Sequence, residues 1–327
     1  MALCLRGRDA PLGTLTAQLD ALAAGQGRVI LVSGLPGMGK TALLAAAAGL
    51  ARDRGLRVLR GSADPAALAI PLRPLLQALV PADDPLVDAR LARDLSRRPD
   101  QRCWLLREVR ESLERGARRR PVLICIDDLQ WADPATLSAL ATLPADLASH
   151  RIGWLLAVRS GDLTTTVRTA LDRLAAMDPL RLTLGPLTAD AVADLATDLL
   201  GAPPDAGLRQ ALDGAGGHPF LVAELLRGLR EENLVKVADG IAQLIEGQLP
   251  RRFTDSADLS SPWPELTRAE LAVVSLAARG ATNREVAERL YLSPHTVHSH
   301  LRHVFVKLGI RSRVELARLA AERDATP

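Results

Sequence analysis

The sequence predicts an α/β domain, with a mainly parallel sheet and helices on both its faces, followed by a helical lid and a small all-α helix-turn-helix domain. Three observations predict it. Between residues 28 and 184 short β-branched runs alternate with longer helical stretches. From 188 to 235 the pattern is helical, broken at Gly201, Gly214 and Gly217. From about residue 265 onward, helix start and stop signals follow one another closely.

In chain order, strands are expected at 29–33, 57–60, 122–126, 152–158 and 180–184, with helices at 41–54, 74–80, 101–116, 134–147 and 167–176. A run such as Val122-Leu123-Ile124-Cys125-Ile126 is apolar at every position. A strand buried on both faces of a parallel sheet has that pattern. The stretch 249–264 has proline near each end and a polar middle, and reads as a linker. The expected domains are therefore a core over 1–186, a lid over 187–248, the linker over 249–264 and a DNA-binding-type unit over 265–327.

Composition narrows the classes. Of 327 residues, 48% are hydrophobic and only 2% aromatic, so the core must be built from Leu, Ala and Val. The net charge of +3 is too small to imply nucleic-acid binding by itself. Its distribution says more: between Glu288 and Glu315 lie Arg289, Arg302, Lys307, Arg311 and Arg313, with no carboxylate among them. Cys4, Cys103 and Cys125 make no metal-spaced pair and are odd in number, which fits the reducing cytoplasm. Arg6 and Arg8 are not followed by an apolar signal segment, and the apolar run 42–51 is too short to span a bilayer. A cytoplasmic chain with no membrane partner is expected.

The sharpest motif is Gly34-Leu35-Pro36-Gly37-Met38-Gly39-Lys40-Thr41, between a strand and a helix. It satisfies the P-loop pattern, which places the fold among the P-loop NTPases. Gly34, Gly37 and Gly39 let the backbone fold into a nest of N–H groups that face a polyphosphate. Lys40 would reach the β- and γ-phosphates of ATP, and Thr41 would offer its hydroxyl to Mg²⁺. The second half of such a site is a buried strand ending in acid, and 122–126 ends in Asp127-Asp128. Asp127 would hold Mg²⁺, and Asp128 would orient the attacking water. Either piece alone has a bland reading, a Gly-rich turn or a strand that happens to end in Asp; together they point to a nucleotide.

The last sixty or so residues are punctuated clearly. Thr267 with Glu270 forms a capping box, Leu266 and Leu271 the matching staple, and Gly280 ends that helix. Asn283 is expected to cap a second helix, Ser293-Pro294 to open a third that Gly309 closes, and Ser312 with Glu315 to start a fourth. In the third, Val297, Leu301, Val304 and Leu308 recur at helical spacing and face a core. His295, Thr296, His298, Ser299, Arg302 and His303 then point outward, available to a major groove. Lys307, Arg311 and Arg313 would contact phosphates. The alternative at this point is a helical packing unit with a solvated basic edge.

A family resemblance joins the two halves. Asp127-Asp128-Leu129-Gln130-Trp131-Ala132-Asp133 resembles the "DDLHWAD" stretch of the signal-transduction ATPases that head the large ATP-binding LuxR-family regulators. Leu5-Arg6-Gly7-Arg8-Asp9 is similar to their "GRE" element, which implies Arg8 against the adenine. Leu155 to Arg159 resembles their sensor strand, implying Arg159 near the γ-phosphate, and Gly216-Gly217-His218-Pro219-Phe220 resembles the lid's "GGNP", implying Pro219 beside the base. The stretch 266–317 is similar throughout to the LuxR-type DNA-binding domain, through its L-T-x-x-E, N-x-E-V-A, S-x-x-T-V and K-L-G-x-x-S-R frames. Val306 departs from the usual basic residue there, and His298 sits where members vary. Members usually carry a winged helix and helical repeats between lid and DNA-binding domain; this sequence reads as a shortened form, natural or produced by deletion.

The resemblance implies a regulator switched by ATP and Mg²⁺, acting on double-stranded promoter DNA. A homo-oligomer in the ATP state and RNA polymerase are the further partners it implies. Three other readings stay open on the sequence: an ATPase whose C-terminal helices make protein contacts only, a decayed fragment of a larger regulator, and a small-molecule kinase.

Overall fold

The computed structural model describes residues 5–64, 68, 70–80, 86–87, 102–161, 163–245, 266, 268–278, 280–290, 294–310 and 312–324. Its packing falls into two compact units, one spanning Arg8–Gly185 and the other made of the residues on either side of it. The linker at 249–264, the helix joint at 291–293, Thr267 and Arg311 lie outside the described residues.

The first unit runs α1 (Asp9–Ala23), β1 (Val29–Gly34), α2 (Lys40–Asp53), β2 (Arg57–Ser62), α3 (Arg73–Leu79), α4 (Arg102–Arg119) and β3 (Val122–Asp127). It continues with α5 (Pro134–Leu140), α6 (Leu143–Asp146), β4 (Ile152–Arg159), α7 (Thr165–Ala175) and β5 (Leu180–Leu184). The five strands make one sheet in the order β2-β3-β4-β1-β5, every neighbouring pair parallel. Helices cover both faces. Val29, Leu31, Val122, Ile124, Ile152 and Trp154 pack beneath α3, α4, α5 and α7. The alternate residues, Ile30, Val32, Leu123 and Leu155, are also buried, on the side where α1 and α2 pack against the sheet. Two-sided burial is why these strands carry no polar alternation.

The register fixes where chemistry can occur. Gly34 pairs with Arg159 on one side and Leu184 on the other, so β1, β4 and β5 end together. Asp127 ends β3 just beyond the Ile126–Leu156 pair. The chain leaves β1 toward β2 and later skips back across it to β5, so strand order reverses at β1, and a cleft opens at such a point at the carboxyl ends of the strands.

Two expectations change here. The single helix read at 134–147 is two, α5 and α6, broken at Ala141–Thr142, with Pro144 in the first turn of α6. Proline cannot donate the bond that would continue α5 and restricts the residue before it. Helix α1 had no counterpart in the reading of the sequence, although Leu15, Leu19 and Leu22 form its buried stripe.

The second unit opens with α8 (Ala189–Leu200), α9 (Ala206–Asp213) and α10 (Pro219–Glu231), then a hairpin of β6 (Val235–Ala238) and β7 (Ile241–Leu244). Thr188 and Asp205 cap α8 and α9 through side-chain oxygens, and Gly201 ends α8 at positive φ. Four helices complete it among the described residues: α11 (Arg268–Ala278), α12 (Asn283–Leu290), α13 (Pro294–Leu308) and α14 (Arg313–Asp324). Helix α10 has two buried faces. Val222, Leu225, Leu226 and Leu229 join α8 and α9 in one core, while Phe220 enters the core of α11 to α14. The cap of α12 is Thr282, not Asn283: its amide and hydroxyl donate to the Glu285 carboxylate at 2.7 and 2.9 Å, and Glu285 N donates back to its hydroxyl at 3.3 Å. The T-x-x-E box outbids Asn283 because it satisfies two donors reciprocally.

Candidate functional site

The loop between β1 and α2 is shaped by glycine. Gly37 and Gly39 sit at φ +74° and +88°, a region costly for residues with a Cβ, and Gly39 is the N-cap position of α2. The first-turn amides of α2 therefore stay unsatisfied by any side-chain cap and add the helix-terminal potential for an anion. Lys40 is buried, and its ammonium donates to the carbonyls of Gly34 at 2.8 Å and Leu35 at 2.9 Å. Burial lowers its pKa, an effect opposed by the charges of Asp128 and Asp127.

Across from it, β3 delivers two adjacent carboxylates. Asp127 is pushed up to about 6, by burial first and by the neighbouring Asp128 second, while a hydrogen bond from the Thr41 side chain pulls the other way. Asp128 is also raised by burial, against a bond from Gln130 and the charges of Lys40 and Arg159. Two half-buried acids side by side form a site short of positive charge. A divalent cation matches that deficit with hard oxygen ligands, and Thr41 adds a hydroxyl bonded to one of them. The residues present thus fit a magnesium-bound triphosphate in chemistry and in placement.

The sheet brings Gly34, Gly37, Gly39, Lys40, Thr41, Asp127, Asp128 and Arg159 to one edge. Arg8 is buried in the same unit and donates to the carbonyls of Met38, at 3.1 Å, and Gly185, at 2.7 Å. It clasps the phosphate loop from behind. Pro219 belongs to the second unit, where it starts α10 behind Gly216 and Gly217, both at positive φ. A Cβ on Gly217 would lie 2.3 Å from the carbonyl of Leu187, whose own amide donates to Gly217 O at 2.7 Å, so glycine is required at that crossing.

Two residues of the acidic stretch have roles that reading by motif missed. Asp133 is buried and accepts from Ala135 N, Thr136 N and Leu72 N at 3.0, 2.9 and 3.0 Å. It caps α5 and pins Leu72, which sits at φ +57°. Gln130 donates to Asp128 Oδ1 at 2.7 Å and accepts from the backbone amide of Arg159 at 2.9 Å. The signal for Asp133 was present as Asp-Pro before a helical run; Gln130 had none, because its partner on β4 is distant in sequence.

In the helix-turn-helix unit, Val297, Leu301 and Val304 are buried, together with Val273, Val286 and Leu316. Arg302 is exposed and His298 half-buried on α13. The side chains of Thr296, Ser299 and His303 lie outside what the structure describes. Lys307 donates to Glu270 at 2.6 Å, and that carboxylate is buried. Arg313 donates to Asn283 Oδ1 at 3.0 Å and Ala277 O at 3.4 Å, stitching α14 to α11 and α12. His300, a position not singled out from sequence, is buried and stacks on Phe220 with ring centroids 6.3 Å apart.

Residues 5–156 match the model of the AAA ATPase domain, and residues 264–320 match that of the bacterial regulatory proteins of the luxR family. The chain thus carries an AAA ATPase domain at its front and a LuxR-type helix-turn-helix domain at its end. An HTH-type transcriptional regulator of Mycobacterium bovis is 49% identical over 63 residues, 19% of this chain and 7% of that protein. The oxygen regulatory protein NreC of Staphylococcus aureus is 39% identical over 69 residues, 21% of this chain and 32% of that protein. The matched stretch is thus a small part of these relatives. Among solved structures, the ADP form of Aeropyrum pernix ORC2 aligns with TM-score 0.55 at 16% identity, covering 98% of this chain and 93% of that one. AMPPCP-bound DnaA of Aquifex aeolicus aligns with TM-score 0.51 at 15% identity, covering 97% and 94%. These likenesses establish the fold. Among the described residues no helix is long and apolar enough to cross a membrane.

Proposed function

We propose that this chain, in which an AAA ATPase domain and a LuxR-type domain share one polypeptide, is a transcription regulator whose grip on promoter DNA depends on bound ATP. The observation that carries the reading is the half-buried Asp127–Asp128 pair beside Lys40 and Thr41, a charge deficit that Mg²⁺ would neutralise. Lys40 would exchange its two carbonyl partners for phosphate oxygens. Thr41 and Asp127 would hold the metal, and Arg159 would stand by the terminal phosphate. Mg²⁺ supplies charge neutralisation on the phosphates.

On the DNA side, Arg302 is an exposed cation of α13 suited to the groove, on the same helix as the half-buried His298. Thr296, Ser299, His303 and Arg311 complete the proposed surface. The switch requires that ATP bind two states of the protein with different affinity, or nothing shifts. Pairing of two DNA-binding units in the ATP state would match a two-fold promoter site. RNA polymerase is the natural further partner of such a complex.

The test measures promoter-DNA affinity of wild type and Lys40→Ala, each with Mg-ATP and Mg-ADP. The expected result is a tenfold or larger ATP preference in wild type only. Equal affinity in all four conditions removes the switch.

A second reading, an ATPase whose C-terminal helices make protein contacts, is favoured by one observation. Lys307 and Arg313 are engaged with Glu270 and Asn283, which leaves fewer cations for phosphate contact. DNA affinity with a weak dependence on salt would support it, since each phosphate contact adds to the slope.

A further inference from the structure

We infer that Gln130 is a positioning residue for ATP hydrolysis, holding the Asp128 carboxylate in the orientation that receives the attacking water. The inference rests on the nucleotide site proposed above and adds to it a residue that touches neither phosphate nor metal.

The geometry begins with Asp128 itself. Its backbone sits at φ +56°, in the left-handed region, immediately after β3 ends. Its amide is bonded to Asp127 Oδ1 at 2.8 Å, so the main chain here is fixed by the neighbouring acid. The orientation of the carboxylate is a separate matter, because a side chain on a turn residue has rotamers of its own. Gln130 supplies a restraint on it from the short 3₁₀ turn Leu129–Trp131, whose Trp131 amide closes back onto Asp128 O at 2.9 Å.

The chemistry of the amide makes the restraint directional. Its oxygen accepts from Arg159 N, which can only donate, so its nitrogen must face Asp128. That nitrogen donates to Oδ1, so the amide sets which way the carboxylate is turned. The same side chain therefore ties the end of β3 to the end of β4, the strand lying between the acid pair and the phosphate loop. In the hydrolytic step the water oxygen bonds to the terminal phosphorus as the bond from that phosphorus to the bridging oxygen breaks. The water's proton passes to Asp128, and ADP and phosphate leave. A carboxylate held within a few tenths of an ångström of the productive geometry is worth one to two orders of magnitude in such a step.

Glutamate at 130 could still accept from Arg159 N but has no donor for Asp128, so it separates tethering from orientation. The experiment measures steady-state Mg-ATP hydrolysis and, separately, retention of labelled ATP, in wild type, Gln130→Ala, Gln130→Glu, Asp128→Asn and the double variant Gln130→Ala/Asp128→Asn. The expected result is kcat lower by tenfold or more in both Gln130 variants, ATP affinity within about twofold of wild type, and a double variant no slower than Asp128→Asn alone. Wild-type kcat in Gln130→Glu overturns the inference, and so do losses that multiply in the double variant or that fall equally on affinity. A wild-type chain that retains ATP without cleaving it overturns the inference and leaves the nucleotide site standing; one that retains no ATP overturns the site itself.

Discussion

Asp127 is the residue at which function and stability oppose each other most clearly. Its carboxyl group is raised to about 6 from an ordinary value near 3.8, so the native state holds a proton over a range where the unfolded chain has released it. Stability therefore falls as pH rises through that range, and above it the full cost is present, about 3 kcal/mol if the whole shift is realised. Asp127→Asn is expected to melt higher than wild type at pH 7.5 without nucleotide, with the gap closing toward pH 4, while Mg-ATP retention is lost. Denaturation at both pH values checks it; an Asn variant less stable at pH 7.5 contradicts the charge-deficit account. Asp133 behaves oppositely. It satisfies three backbone donors in the interior, so Asp133→Ala should cost about 2–4 kcal/mol. Urea unfolding reads that loss directly, and a change under 1 kcal/mol would show that α5 and Leu72 do not depend on the cap.

At the scale of the element, α13 illustrates why cations near a groove are not equivalent. Arg302 and Lys307 are both exposed, but the Lys307 ammonium is bonded to the buried carboxylate of Glu270. Removing Lys307 takes an ammonium away from the buried Glu270 carboxylate, so Lys307→Ala is expected to destabilise the C-terminal helices by about 2 kcal/mol. Arg302→Ala should leave stability within about 0.5 kcal/mol and weaken DNA binding by tenfold or more. Paired melting and DNA titration separate the two; the reverse assignment would mean that Lys307, not Arg302, faces the duplex. The hairpin of β6 and β7 is another element whose cause is local. Asp239 and Gly240 both lie at positive φ, which is the two-residue turn that right-twisted strands require.

At the scale of the whole molecule, α10 is the element that the lid core and the DNA-binding core have in common. Phe220 lies one residue beyond Pro219 and is buried against His300 and the helices around it. An effect of the lid on DNA binding has the packing of α10 against the C-terminal helices as a direct route. Phe220→Ala is accordingly expected to cost about 3 kcal/mol in the second unit and to reduce the ATP dependence of DNA affinity toward unity, with ATP retention intact. Unaltered ATP dependence in a folded Phe220→Ala protein would place the coupling elsewhere.

The five strands and the phosphate loop were readable in the residues because their causes are local: apolar runs, glycine spacing and a lysine at fixed offset. The Ser312 cap of α14 was readable for the same reason, while Thr282 was misjudged in favour of its neighbour Asn283 because two competent caps stood side by side. Helix α1 escaped because Gly13, Thr14 and Thr16 weaken its local helix signal and Arg8 offers no side-chain cap. The distant partners of Gln130, Asp133, Lys307 and Arg313, namely Arg159, Leu72, Glu270 and Asn283, could not be read at all. The sequence by itself determined which backbone elements form and which chemical groups the chain carries, since periodicity and turn chemistry act over a few residues. Only the tertiary structure decided which charges are spent on folding and which remain for ligands, because burial and partnership depend on groups brought together from 29 to 61 positions apart.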